Sequence, residues 1–97
     1  MLTSKERAKL RTLANPLDTI LQVGKAGIGE QLVKQVDDAL TARELVKLHA
    51  LETAPMAPGE LAALLAEATG AQVVQVIGKK IVLYKPDKDK PKIELPR

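Results

Sequence analysis

The chain is 97 residues long, the size of one domain, and 45% of its residues are hydrophobic, a proportion typical of globular proteins. It has no cysteine and one histidine, His49, which excludes disulfides, cysteine nucleophiles and metal sites built on cysteines or several histidines. Tyr84 is the only aromatic residue, so the core must be aliphatic. No apolar run is long enough to cross a bilayer, and the first residues do not resemble a signal peptide, so we expect a cytoplasmic protein.

Positive charge is concentrated at the two ends of the chain, which has a net charge of +3. Residues 1–27 contain five basic and two acidic residues, and residues 79–97 contain seven basic and three acidic residues. Residues 28–78 between them contain three basic and seven acidic residues. This distribution favours binding to a polyanion such as a nucleic acid, although a basic tail can also serve only to keep a protein soluble.

The first half of the chain predicts two helices with a short strand between them. Thr3 and Glu6 have the spacing of a capping box, and the periodicity of the leucines that follow predicts a first helix ending near Ala14. Residues 19–23 predict a short strand that ends at a glycine. Residues 30–42 predict a second helix, because apolar residues recur there at spacings of three and four.

The second half predicts strands at residues 45–51, 72–77 and 80–85 and a third helix at residues 58–69. On that helix we expect an inward face formed by Leu61, Leu64, Leu65 and Ala68. The last two strands are separated by a glycine and a lysine, which indicates a hairpin, and the first two should be parallel.

The element order is therefore α-β-α-β-α-β-β. It predicts a single α/β (α+β) domain with a four-stranded mixed sheet. We assign residues 1–86 to this domain. Residues 87–97 form a basic, proline-containing tail, which we expect to be extended, with Ile93 and Leu95 as candidate anchors against the core.

The segment Gly24-Lys25-Ala26-Gly27, between the first strand and the second helix, is the strongest local motif. Glycines allow a tight turn that exposes backbone N–H groups, and the start of a helix adds N–H donors and the positive end of its dipole. Lys25 adds a full charge, so the loop has the properties of a phosphate-binding site. The alternative is an ordinary strand-to-helix turn that requires glycine.

Motifs of nucleotide-binding enzymes do not fit this loop. A P-loop requires Ser or Thr after the lysine, but Ala26 follows Lys25, and the spacing of the glycines differs from that of dinucleotide-binding proteins. His49 has no identifiable catalytic partner, and Tyr84 is expected in the core rather than on a base-stacking surface. We therefore predict a protein that is not an enzyme and has no cofactor or metal site.

Several segments in order along the chain form a specific pattern. They are Leu2-Thr3-x-Lys5, the loop 23–28, residues 44–47, the hairpin segments 75–79 and 82–86, and residues 92–96. Together they resemble the CRM domain family (chloroplast RNA splicing and ribosome maturation), in its bacterial stand-alone YhbY-like form. The resemblance extends from Leu2 to Arg97.

This resemblance implies a fold similar to the C-terminal domain of translation initiation factor three, and RNA binding without catalysis. In bacteria the family is associated with precursors of the large ribosomal subunit. It further implies that Gly24–Gly27 and the neighbouring basic surface contact RNA. Four positions depart from the family's pattern. Ala26 stands where Asn is frequent, Gly29 stands where Thr or Ser commonly caps the second helix, and Pro16 and Asp18 replace residues that are often His and Lys, so that Asp18 lowers the positive field near the loop.

We therefore predict a monomeric, non-catalytic RNA-binding protein that associates with precursor large ribosomal subunits and assists ribosome assembly. Its partners would be structured RNA, namely large-subunit ribosomal RNA or its precursor, and ribosomal proteins, with no membrane. The predicted RNA-contacting residues are Gly24, Lys25, Ala26, Gly27, Lys5, Lys9, Arg11, Lys79 and Lys80. The alternative is a protein–protein adaptor that binds a ribosomal protein through the acidic second helix, with Glu30, Asp37 and Asp38, and does not contact RNA.

Overall fold

The computed structural model describes residues 2–86 and residue 93. In chain order the elements are α1 (Ser4–Ala14), β1 (Leu21–Val23), α2 (Glu30–Arg43), β2 (Leu45–Ala50), α3 (Pro58–Thr69), β3 (Gln72–Ile77) and β4 (Lys80–Tyr84). This is the predicted order, and the predicted α+β fold class is confirmed. The predicted tail, residues 87–97, lies outside the described residues except for Ile93, so its extent stays a prediction.

The ends of the helices follow local sequence signals. The hydroxyl of Thr3 accepts a hydrogen bond from the backbone of Glu6, whose carboxylate accepts one from the backbone of Thr3, so the predicted capping box is present. Further along the chain, Pro58 occupies the first turn of α3, and Gly70 ends that helix in the left-handed conformation. Gly29 precedes α2 and contributes no side-chain cap.

The four strands form one mixed sheet in the order β1-β2-β4-β3. β1 and β2 are parallel, whereas β4 is antiparallel to both β2 and β3. The two strands of the hairpin, β3 and β4, are also neighbours in the sheet. β4 lies in the interior of the sheet, and β3 lies at its edge. The register of β3 shifts between Val73 and Gln75, which marks an irregularity in this edge strand.

Both faces of the sheet carry helices, which gives three layers. α2 and α3 cover one face, and the larger core lies between them and the sheet. Its buried side chains include Val23, Val36, Leu40, Val46, Leu48, Leu61, Leu65, Ile81 and Leu83. α1 covers part of the other face, over a smaller core formed by Leu10, Ala14, Leu45, Val74, Val82 and Tyr84.

Tyr84 lies in the smaller core with 3% of its surface exposed, so its predicted place in the interior is confirmed. Burial raises the pKa of its phenol, and the nearby carboxylates of Glu44 and Glu6 raise it further. Glu44 is itself fully buried at the end of α2, and its carboxylate accepts a hydrogen bond of 2.9 Å from the backbone N–H of Ile93. Ile93 packs against the smaller core, as predicted, whereas Leu95 lies outside the described residues.

The structure corrects two details of the predicted elements. Residues 19 and 20 precede β1 rather than belonging to it, although the N–H of Ile20 still donates to the carbonyl of Lys47. On α3, Leu64 and Ala68 face solvent, and Ala62 and Thr69 are buried in addition to Leu61 and Leu65. The inward stripe of α3 is therefore rotated relative to the predicted one, because the packing of α3 against both the sheet and α2 decides which side chains are buried. No helix in the described part of the chain is long and apolar enough to span a membrane.

Candidate nucleic-acid interface

Three connecting segments meet at one end of the sheet. They are the glycine loop (residues 24–27, after β1), the loop of residues 51–57 after β2, and the hairpin turn of residues 78–79 before β4. β1 and β2 are parallel, so the loops that follow them leave the sheet at the same end. The hairpin turn joins them there, because the backbone N–H of Ala50 donates to the carbonyl of Lys79 at 2.7 Å.

The glycine loop is a closed turn. The backbone N–H of Gly27 donates to the carbonyl of Gly24 at 2.9 Å, and Lys25 and Ala26, at the tip, are exposed. Gly27 is buried and has a φ of 68°, a conformation that other residues rarely adopt. The turn therefore presents a lysine side chain and a short stretch of backbone to solvent, two residues before the N-cap of α2.

The two glycines of the loop have different structural roles. A Cβ atom on Gly27 would lie 2.9 Å from Cγ of Pro55, in the loop after β2. A Cβ atom on Gly24 would lie 3.5 Å from Leu51, which is an ordinary contact. From the sequence we expect both glycines to be needed for a tight turn, but the structure requires only Gly27, through its left-handed backbone and its contact with Pro55.

The lysines at this end of the sheet are not equivalent. Lys25 and Lys80 are exposed, and Lys80 is the cross-strand partner of His49. Lys79 instead forms a salt bridge of 2.7 Å with Glu52, and its hydrogen bond and charge lower the pKa of that carboxyl. Glu52 therefore offsets part of the positive charge that the hairpin turn brings to the glycine loop.

The predicted basic residues of α1 lie on two stripes of the helix. Arg11 continues the stripe of Arg7, whose guanidinium donates to the carbonyls of Val73 and Val74 on β3. Lys5 and Lys9 continue the stripe of Leu13, which packs beside Ile93. Lys25, Lys79 and Lys80 therefore lie at the same end of the sheet, whereas the basic residues of α1 lie on two stripes of the helix.

The acidic helix of the adaptor alternative is α2. Asp37 is half-buried and forms an ion pair of 3.1 Å with Lys85, which follows β4. Asp38 and Glu30 are exposed. One of the three carboxylates is thus already paired with a cation of the same chain.

Comparison with known proteins identifies the family of the chain. Residues 2–85 match the model of the CRS1 / YhbY (CRM) domain, which is almost the whole described part of the chain. The chain belongs to the CRS1/YhbY (CRM) domain family. The resemblance found from the sequence motifs is therefore confirmed.

Individual relatives cover nearly the whole chain. "Probable RNA-binding protein YqeI" of Bacillus subtilis is 43% identical over 96 residues, which are 99% of this chain and 100% of the relative. An "RNA-binding protein" of Haemophilus influenzae is 30% identical over 99% of this chain and 96% of its own length. The solution structure of the hypothetical protein SAV1595 from Staphylococcus aureus is 49% identical, covers 99% of this chain and 100% of its own, and superimposes with a TM-score of 0.82.

Proposed function

We propose that this CRM-domain protein is a non-catalytic RNA-binding protein that associates with precursors of the large ribosomal subunit and assists their assembly. The observation that carries the proposal is the glycine loop, a closed turn with an exposed lysine immediately before α2. Relatives that span the chain carry names that describe RNA binding, which supports the same class of partner.

The glycine loop would bind the phosphate backbone rather than a base. Lys25 supplies a full positive charge at the tip of the turn, and the first turn of α2 supplies backbone N–H groups and the positive end of a helix dipole. Because Gly29 has no side chain to cap those groups, a phosphate oxygen can take the place of the cap. Ala26 adds no hydrogen-bonding side chain, so the backbone and Lys25 make the contact.

The surrounding cations would extend this contact along the RNA. Lys80 lies at the same end of the sheet as the glycine loop and is exposed. Lys79 would have to break its salt bridge with Glu52 to bind a phosphate. Arg11, Lys5 and Lys9 would contact RNA that continues over α1, with Arg11 on one side of the helix and the two lysines on the other. Every phosphate that a lysine or arginine neutralises releases counterions, so affinity should fall steeply as salt rises.

Charge reversal at the loop tests the RNA contact. Lys25→Glu should weaken binding to a structured ribosomal RNA fragment at least about tenfold, and should flatten the salt dependence by about 0.9 in log–log slope for each phosphate that is no longer neutralised. The free energy of unfolding should be unchanged, because Lys25 is exposed. Fluorescence anisotropy at several salt concentrations measures the affinity, and urea unfolding measures the stability.

Lys34→Glu is the matched control, because Lys34 is also exposed but lies on α2, outside the predicted contact residues. If both reversals weaken binding equally, the loop has no special role and only net charge matters. If Lys25→Glu binds like the unmodified protein, the proposed loop contact is wrong.

Sedimentation of cell extracts tests the ribosomal part of the proposal. The protein should migrate with large-subunit particles at low salt and should leave them as salt rises, because the contact is electrostatic. Digestion of the RNA should release it. Retention on protein particles after digestion would instead favour the adaptor alternative, and absence from the particles at every salt concentration would contradict the assembly role.

A further inference from the structure

α1 covers only part of the sheet face on which it packs. The end of that face next to the glycine loop is left uncovered by α1. The residues under α1 are those of the smaller core, including Leu45, Val82 and Tyr84. β2 runs from Leu45, near this core, to Ala50, near the glycine loop. Among residues 2–86, no helix therefore lies above the part of this face next to the glycine loop.

A single cross-strand row of side chains lies on this uncovered part. Gln22 of β1 is paired with His49 of β2, His49 with Lys80 of β4, and Lys80 with Ile77 of β3. Directly paired residues point to the same face, so the four side chains stand side by side across the whole sheet. We call this set the open row (Gln22, His49, Lys80 and Ile77).

The open row is accessible to solvent in every strand. Gln22 and Lys80 are exposed, and His49 is partly exposed although β2 is an interior strand. Ile77 has 61% of its surface exposed, the largest fraction among the large hydrophobic residues of the described chain. An exposed isoleucine next to three polar side chains gives this surface both an apolar and a hydrogen-bonding part.

The chemistry of the open row suits nucleic-acid bases. A glutamine amide has donors and acceptors that match base edges, and an imidazole can donate and accept and presents a flat ring. Lys80 can bind phosphate, and Ile77 offers an apolar contact to the face of a base. Strands are about 4.8 Å apart, so the row is about 14 Å long, enough for a few neighbouring nucleotides.

We propose that the open row contacts the bases of an unpaired RNA segment whose backbone is held by the glycine loop. Gln22 precedes Gly24 by two residues, so the row continues directly into the loop. The row contains one cation and no carboxylate, which is complementary to a polyanion. In double-stranded RNA the major groove is too deep and narrow for side chains to read, and the faces of the bases are stacked, so a surface of this chemistry favours a single strand. The inference rests on the proposed RNA-binding function.

Abasic RNA separates base contacts from backbone contacts. The probes are a fluorescent single-stranded RNA oligonucleotide of mixed sequence and an oligonucleotide of the same length in which central nucleotides lack their bases. The protein should bind the first about tenfold more tightly than the second, because the abasic probe cannot form one or two of the base contacts. In a double variant, Gln22→Ala with His49→Val, this preference should be lost. The double variant should still bind the abasic probe as tightly as the unmodified protein does. Valine keeps the β-propensity of the strand.

The single variant Gln35→Ala is the matched control, because Gln35 is an exposed glutamine on α2, and it should leave the preference intact. Urea unfolding establishes that each variant is folded. The inference is overturned if the double variant keeps the tenfold preference, or if it loses affinity equally for both probes. If the unmodified protein binds neither probe nor structured RNA, the proposed function itself fails. If it binds RNA without any preference for bases, only the open row is wrong.

Discussion

The face of the sheet under α2 and α3 and the face under α1 differ in how completely they are covered. Under the two helices, the side chains of β2 and β4 are excluded from solvent, as for Leu48 and Ile81. Under α1, burial stops before the end of the strands, and His49 and Lys80 on the same strands remain accessible. Over β2 and β4, a pair of helices thus closes one face, and a single helix leaves the other partly open.

We expect this difference to separate stability from binding within a single sheet. The two-helix face supplies most of the buried apolar surface, which is the dominant stabilising contribution in a small domain. The one-helix face contributes a smaller core and, beside the glycine loop, a surface available to a partner. Substitutions on the two faces should therefore have different consequences for folding and for binding.

The largest expected effect is on the two-helix face. Leu48 is fully buried in an interior strand, so Leu48→Ala should lower the free energy of unfolding by about 3 kcal/mol, through reduced burial and a residual cavity. Lys80→Ala, in the open row, should change it by less than about 0.5 kcal/mol. Urea unfolding of both variants measures the difference. Similar losses of stability in the two variants would contradict the expectation that the two-helix face supplies most of the stability.

An intermediate effect is expected where α1 is attached to the edge of the sheet. The guanidinium of Arg7 donates to the carbonyls of Val73 and Val74 at 2.6 and 2.8 Å, where the register of β3 shifts. Arg7→Ala should therefore lower the free energy of unfolding by about 2 kcal/mol, because it removes hydrogen bonds from a charged group to partly buried carbonyls.

Arg11→Ala is the control for this attachment, since Arg11 is exposed on the same stripe of α1. It should leave stability unchanged within about 0.5 kcal/mol. Hydrogen exchange of the β3 amides gives a second measurement, because loosening of α1 should accelerate it only in the Arg7 variant. Equal stability of the two variants would show that the hydrogen bonds of Arg7 do not contribute to the attachment of α1.

The smallest effect concerns pH on the one-helix face. The pKa of Tyr84 is raised above that of an unperturbed phenol, chiefly by burial, so the folded protein binds this proton more tightly than the unfolded chain. The resulting stabilisation is complete below about pH 10, the unfolded pKa, and is lost as pH rises towards the folded pKa.

Tyr84 is the only tyrosine, so the absorbance of tyrosinate reports its titration directly. Tyr84→Phe should remove this part of the alkaline loss of stability, which unfolding at neutral and alkaline pH would measure. A titration at the value of an unperturbed phenol would show that the face under α1 is more open than the structure indicates.

Local signals in the sequence predicted much of this fold. The capping box of Thr3 and Glu6, the first-turn proline of α3 and the left-handed Gly70 each act over a few residues, so they could be recognised without tertiary information. The parallel pairing of β1 with β2 followed from a helical connection between two strands. The inward face of α3 was predicted wrongly at Leu64, because the angle between a helix and its neighbours is decided by the packing of all the layers.

Only the part of the candidate site that is contiguous in the sequence could be predicted. The glycine loop is a contiguous motif, and its place between a strand and a helix followed from neighbouring residues. The salt bridge of Lys79 with Glu52 joins residues 27 positions apart, and the contact of Gly27 with Pro55 also depends on the fold. The open row required the strand order and register, since its four residues come from four different strands.

The packing of Gly27 against the ring of Pro55 affects how the glycine loop can meet a partner. A proline has a fixed φ, so its ring is a stiff support, and the loop is held in its turn before anything binds. A segment that is already ordered loses little conformational entropy on association. Encounter should then be governed by diffusion and long-range electrostatic attraction rather than by rearrangement of the loop. Fast association that slows with salt is the kinetic signature of such a rigid contact.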